Sequence, residues 1–185
     1  VFHPTVFDNI KVVLEGAVYD RDFDGAITVT GRSDLVDLAT YHRRFEIAYC
    51  LAEQANNPGA VRAVMQLRTT LADIASEQLE QPITERIGCT ICLHFTLSIR
   101  DVRRETDAIT AIVNEIWGHR PHITHKIKAP LDKHRAVWPP ETYENQVTLD
   151  FHRKIDEGNI DDMKRLVEHC IQTLVQLQAF HGSVR

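Results

Sequence analysis

Residues 87–99 read IGCTICLHFTLSI, from Ile87 to Ile99, and form the most apolar run in the chain. The run is rich in Ile, Thr, Phe and Cys, and it is short for a helix. Continuous apolar character over this length marks a strand buried on both faces, so it belongs in the middle of a sheet. A helix is expected directly after it, from about Asp101 to Trp117. Val102, Ile109, Ile112, Val113 and Ile116 share one helical face, and Gly118 is placed to end the helix. His122 to Lys128 alternates as a strand. Pro130 to Glu141 reads as a loop, punctuated by Pro139-Pro140, and Gln146 to Ile155 as another strand.

The final helix has the clearest pattern. Asn159 is expected at its N-cap, Asp161 and Asp162 in its first turn, and Met163, Leu166, Val167, Cys170, Ile171, Leu174 and Val175 form a wide apolar band. That band exceeds the stripe one sheet needs. The side through residues 163, 167, 170 and 174 is expected on the sheet, and Leu177 with Phe180 in a self-association surface. From residue 87 the order is therefore β-α-β-β-α, a ferredoxin-like split pattern lacking its last strand.

Upstream, Phe7 to Tyr19 is rich in β-branched residues, with Val12, Leu14, Gly16 and Val18 alternating against their neighbours, which predicts a strand. Asp24-Gly25 is a turn dipeptide, and Ala26 to Thr30 a short second strand, giving a β-hairpin over residues 10–30. Ser33 or Asp34 then caps an expected helix over 34–55, carried by Leu35, Leu38, His42, Phe45, Tyr49 and Ala52. Phe45, Ile47, Tyr49 and Leu51 fit a competing strand reading. After the Asn56-Asn57-Pro58-Gly59 break, Val61, Val64, Leu67, Leu71 and Ile74 predict a helix stopping before Pro82, antiparallel to the preceding one. The amino-terminal hairpin is a candidate for the missing strand of the sheet.

The expected fold class is α+β, an antiparallel or mixed sheet with helices packed on it. It forms one domain over residues 1–185, with possible sub-units at 1–82 and 83–185. With 43% hydrophobic and 25% charged residues in 185, the composition is that of a folded domain. No apolar run approaches the roughly eighteen residues of a membrane span. The 21 basic and 26 acidic residues leave a net charge of −5, which argues against nucleic-acid and acidic-membrane partners. Cys50, Cys89, Cys92 and Cys170 avoid Gly/Pro-rich loops and are expected as buried free thiols in a reducing cytoplasm. The chain opens Val1-Phe2-His3, and no signal peptide follows.

Each candidate site has a plain structural counterpart. Asp20-Arg21-Asp22-Phe23-Asp24-Gly25 opens like a calcium loop, but Gly31 stands where a bidentate Glu is needed, so an exposed acidic hairpin loop is expected. His119, His122, His125 and His134 cluster in sequence, and imidazoles are common metal ligands. A strand through 122–128 nevertheless sends His122 and His125 to opposite faces. Cys89 and Cys92 have redox spacing but lie in a strand rather than at a helix N-terminus. Cys92 shares a face with His94, and Asp150 with His152, the latter an acid beside an imidazole. Val12-Val13-Leu14-Glu15 faintly echoes Val147-Thr148-Leu149-Asp150, a similarity that composition alone can produce. Phosphate-loop, dinucleotide and nucleophile-elbow patterns are absent. The arginine pairs 43–44 and 103–104 are too isolated for a nucleic-acid stripe.

The leading expectation is a protein that acts through association, as a homo-oligomer or with a protein partner. The alternative is a small metal-dependent or acid–base enzyme using His119, His122 and His134, with Asp150 and His152. No cofactor and no metal is assigned.

Overall fold

The computed structural model describes residues 5–79, 88–131 and 138–184. In chain order these form α1 (Thr5–Phe23), β1 (Ile27–Asp37), β2 (His42–Leu51), β3 (Arg62–Thr69), α2 (Leu71–Gln78), β4 (Cys89–Ile99), α3 (Val102–Trp117), β5 (His122–Lys128), β6 (Tyr143–Ile155) and α4 (Asp162–Ser183). The architecture is α+β. The six strands make one antiparallel sheet in the order β1-β2-β3-β4-β6-β5. The β3–β4 pairing joins the two halves of the chain in that sheet.

β4 sits in the sheet interior, between β3 and β6. Its burial alternates without a break. Cys89, Ile91, Leu93, Phe95, Leu97 and Ile99 are buried, whereas Thr90, Cys92, His94, Thr96 and Ser98 retain solvent access. The strand is therefore apolar on both sides in composition, but only one side is the core. Phe45, Ile47 and Tyr49 of β2, Ala63, Met65 and Leu67 of β3, and Val147 and Leu149 of β6 point the same way. Against them pack Phe7, Ile10, Leu14 and Val18 of α1, Ile109 and Val113 of α3, and Val167, Cys170, Leu174 and Leu177 of α4.

Carboxyl-terminal to β4 the elements match the expectations from sequence. Asp101 caps α3, its carboxylate accepting the Arg104 N–H at 3.0 Å, and Glu105 accepts the N–H groups of Arg100 and Asp101, both at 2.8 Å. Such a cap contributes about 1 kcal/mol. Gly118 ends the helix at φ 59, a left-handed conformation that a side chain would strain, and returns its N–H to the Asn114 carbonyl. Asn159 differs from expectation. It closes a short 3-10 turn with Asp156, and α4 starts after Asp161 with no side-chain cap. Leu177 also differs. It is buried with Met163, Val167, Cys170 and Leu174, whereas Leu166, Ile171 and Phe180 lie half-buried at the margin of the band and Val175 is exposed.

The amino-terminal half is inverted relative to the expectation. Residues 7–19 lie on helix α1, not on a strand, because Phe7, Ile10, Leu14, Ala17 and Val18 recur at helical spacing and face the core. The expected hairpin over 10–30 therefore does not exist. The strand foreseen at 26–30 is real and runs on to Asp37 as β1. The expected helices over 34–55 and 61–74 are corrected to strands β2 and β3 for most of their length, paired antiparallel as Phe45↔Leu67 and Ile47↔Met65. Only Leu71–Gln78 is helical, started by a capping box between Thr70 and Asp73. The echo between Val12–Glu15 and Val147–Asp150 joins a helix to a strand and is no repeat. Asp20 and Asp22 lie in the last turn of α1, not on a hairpin loop.

Candidate functional site

The sheet has a covered face and an open one. On the open face, backbone register aligns one polar row across all six strands: Ser33, Glu46, Gln66, Cys92, Asp150 and His122. The Gln66 amide donates to Glu46 at 2.6 Å, and the Ser33 hydroxyl to the same carboxylate at 3.4 Å. In the next row His94 Nδ1 lies 2.9 Å from the Thr148 hydroxyl.

At the β6 end of this face three of the sequence candidates meet. The pairing of β4 with β6 shifts between Thr90 and Cys92, and His152 within this bulge has φ 48. Bulges of this kind re-aim side chains. The His152 backbone N–H donates to Asp150 Oδ1 at 2.8 Å, and its ring nitrogen Nδ1 lies 3.6 Å from the same oxygen. The His122 and His152 rings face each other with centroids 5.3 Å apart. Asp150, His152 and His122 thus form one cluster on the open face.

The other histidines are elsewhere. His125 points to the covered face, where the Thr110 hydroxyl is 2.9 Å from Nε2 and the Asn145 amide 3.1 Å from Nδ1, and burial lowers its pKa. His119 sits exposed in the turn after α3 at φ 58, apart from the cluster. His134 lies outside the described residues. Among the described residues, no group of three His, Cys, Asp or Glu side chains is arranged to hold a metal ion.

The thiols are free. Burial, with Asp150 nearby, pushes Cys92 up to about 11, and burial lowers His94. Both are uncharged at neutral pH, so their shared face does not make a thiolate–imidazolium nucleophile. Burial likewise raises Cys89 and Cys170 to about 12.

One concavity escaped the sequence reading. A cleft of about 770 Å³ opens between the end of α3, the end of β6 and the start of α4. Its floor is Ile91, Trp117, Phe151, Met163 and Leu166, and its polar walls carry Glu115, Arg120, Arg153, Asn159, Asp162, Arg165 and His169. Trp117 is fixed by an indole N–H bond to the Thr173 hydroxyl at 2.9 Å. Its ring lies 5.3 Å from Phe151 and 5.4 Å from His169. These residues come from four separate segments, Ile91 of β4 included. The only available signal was the placement of Trp117 at a helix end and Phe151 beside the strand bulge.

Compared with protein-family models, curated proteins and solved structures, the chain matches none. No helix among the described residues is long and apolar enough to cross a membrane.

Proposed function

We propose that the protein acts through association with a second copy of itself, across the sheet edge formed by β1 and α1. The observation that carries this reading is the unequal protection of the two edges. β5, at one end of the sheet, exposes Lys126 and Lys128, the residue type that blocks edge-to-edge pairing. β1, at the other end, leaves Leu35 50% and Val36 43% exposed, with Leu38 at 75% and Tyr41 at 50% in the following turn. Lys11 and Glu15 of α1 pair with Asp34 and Arg32 of β1, which holds this helix against the edge. One step further round α1, Val12, Tyr19 and Phe23 are exposed at helical spacing. Val36 faces the same side of the sheet as Asp34 and α1, and Leu35 the open side, so exposed apolar residues flank the β1 edge, and exposed apolar surface of this kind marks an interface. A two-fold axis perpendicular to β1 would pair the strand with its own copy antiparallel, and an interface of standard size buries about 800 Å² on each partner.

The elements β4-α3-β5-β6-α4, with β3 beside β4, support reading this part as a ferredoxin-like unit within one α+β domain of residues 1–185. Such units serve as association domains as readily as enzymes. A cytoplasmic setting fits four unbonded thiols, and the net charge of −5 favours a protein partner over a nucleic acid. Analytical ultracentrifugation tests the proposal. The wild-type chain should sediment as a dimer, and Leu35→Lys with Phe23→Ser, both on exposed side chains, should give a folded monomer. A wild-type monomer at about millimolar concentration would refute it.

A second reading, a small acid–base or metal-dependent enzyme, is favoured by the meeting of His122, His152 and Asp150; these three are not arranged to hold a metal ion by themselves, so a metal would need a further ligand. Metal analysis of untagged protein separates the two. Stoichiometric zinc, iron or manganese lost on His122→Ala would support the enzyme.

A further inference from the structure

We propose that the cleft between α3, β6 and α4 is a binding site for a small organic anion with an aromatic body and one carboxylate or phosphate group. This stands independently of the association reading, because the cleft lies away from β1. Its volume of about 770 Å³ falls within the range of sites that enclose such molecules. Its floor includes the half-buried Phe151, against which the buried Trp117 indole, locked by Thr173, packs at a tilted angle of 60°. A flat apolar body gains contact there at little ordering cost.

The charge on the walls selects the head group. Arg120, Arg153 and Arg165 all line the cleft and are exposed. Among the described residues, none of the three guanidinium groups has an ion-pair partner. Arg21, Arg32, Arg43 and Arg44 are each paired, whereas the exposed Arg62, Arg68, Arg100, Arg103 and Arg104 are not, among the described residues; what sets the cleft apart is that three such guanidinium groups line one concavity. Two carboxylates, Glu115 and Asp162, also line the walls, so three cations face two anions, and His169 adds a further donor. A local positive excess runs against the net −5 of the whole chain. Guanidinium groups bind planar carboxylates and phosphates bidentately.

Two helix ends border the site. α4 begins at Asp162 without a side-chain cap, and its Met163 N–H donates to the Ile160 carbonyl at 3.1 Å. The last turn of α3 borders the same region, and two of its carbonyls have partners. Gly118 N–H donates to Asn114 O at 2.9 Å, and Arg120 N–H to Trp117 O at 3.3 Å.

The test uses naphthylacetate as the anion and naphthylacetamide as its neutral counterpart. Fluorescence of Trp117 is followed in the full chain carrying Trp138→Phe, which leaves one indole. Naphthylacetate should change the emission saturably and bind about tenfold or more tighter than the amide. Arg153→Gln and Arg165→Gln should each weaken it by about tenfold. Arg103→Gln, an exposed arginine of α3 outside the cleft, should leave it unchanged, and equal melting temperatures establish that all variants fold. No saturable change, equal affinity for acid and amide, or full affinity in both cleft variants would each overturn the proposal.

Discussion

Arg43 shows how single side chains join the elements. Its guanidinium meets Asp34 in a fork, Nε to Oδ1 at 2.9 Å and Nη2 to Oδ2 at 2.8 Å, and reaches Asp8 of α1 with Nη1 at 2.9 Å. It also stacks 4.7 Å above the Phe7 ring, so one residue of β2 ties together β1 and α1. The hydrogen bond from Arg43, helped by Lys11 and opposed by burial, holds Asp34 at about 2, below its ordinary 3.8. A depressed carboxylate stabilises the fold above its unfolded pKa, and that contribution is lost as pH falls through the folded value. Asp34→Asn is therefore expected to cost about 1 kcal/mol at neutral pH, a modest figure because water screens this edge. Near pH 2 most of the cost should be gone. Urea midpoints of both proteins at the two pH values measure this, and a cost unchanged by acid would contradict the assignment. None of this network was legible in the sequence. Arg43 was seen only as half of an isolated pair, because a partner 35 residues away leaves no local signal.

Among the elements, those downstream of Gly88 were legible, whereas upstream only the start of β1 and the competing strand reading of Phe45 to Leu51 were, and the reason is the same in both places. α3 carries a cap at Asp101, a left-handed stop at Gly118 and a single apolar face, so its local signals agree. In β3 they conflict. Val61, Val64 and Leu67 happen to recur at three-residue spacing, while the strand buries Val61, Ala63, Met65, Leu67 and Thr69 at a spacing of two. Ala63 and Thr69 count for little in an apolar pattern, so the helical spacing dominated. α1 inverts the error, since its β-branched valines imitate a strand whereas Phe7, Ile10, Leu14 and Ala17 set the helical face. The candidate site divides likewise. Asp150 and His152 are two apart on one strand and were foreseen together, and His122 joins them only through the register of β5 on β6. On α4 the structure separates three leucines. Leu174 is fully buried, and Leu174→Ala should cost about 2–5 kcal/mol. Leu166 is half-buried at the cleft, and its truncation should cost less than about 2 kcal/mol. Leu177→Glu places a charge in the core and should abolish folding rather than association. Chemical denaturation of the three variants ranks them, and a stable, well-folded Leu177→Glu protein would mean that α4 packs otherwise.

At the scale of the whole molecule, the sheet is covered on one face and defended at one edge. Lysines guard β5, and on the open face Glu46, Gln66, His94 and Thr148 satisfy one another, so neither surface seeks a partner by apolar burial. The β1 edge is different. Its bulge between Val29 and Gly31 and the charges of Arg32 and Asp34 blunt its first part, but both charges are already neutralised by α1 and β2. Past them the strand runs on through Leu35 and Val36 to the turn holding Leu38, all exposed. A dimer built there would exist only between folded copies, because α1 and β1 lie together only after folding. Association that binds the native and not the unfolded chain raises stability with concentration by mass action. The melting temperature of the wild-type protein is therefore expected to rise across a hundredfold increase in concentration, roughly from micromolar to tenths of millimolar. The Leu35→Lys, Phe23→Ser variant should melt at one temperature throughout that range, close to the wild-type value at the lowest concentration, since both side chains are exposed in the monomer. Scanning calorimetry at the two ends of the range reads both slopes. Equal slopes in the two proteins would move any interface away from β1, and a flat line in both would leave the chain a monomer, with the His122, His152 and Asp150 cluster as its remaining candidate for activity.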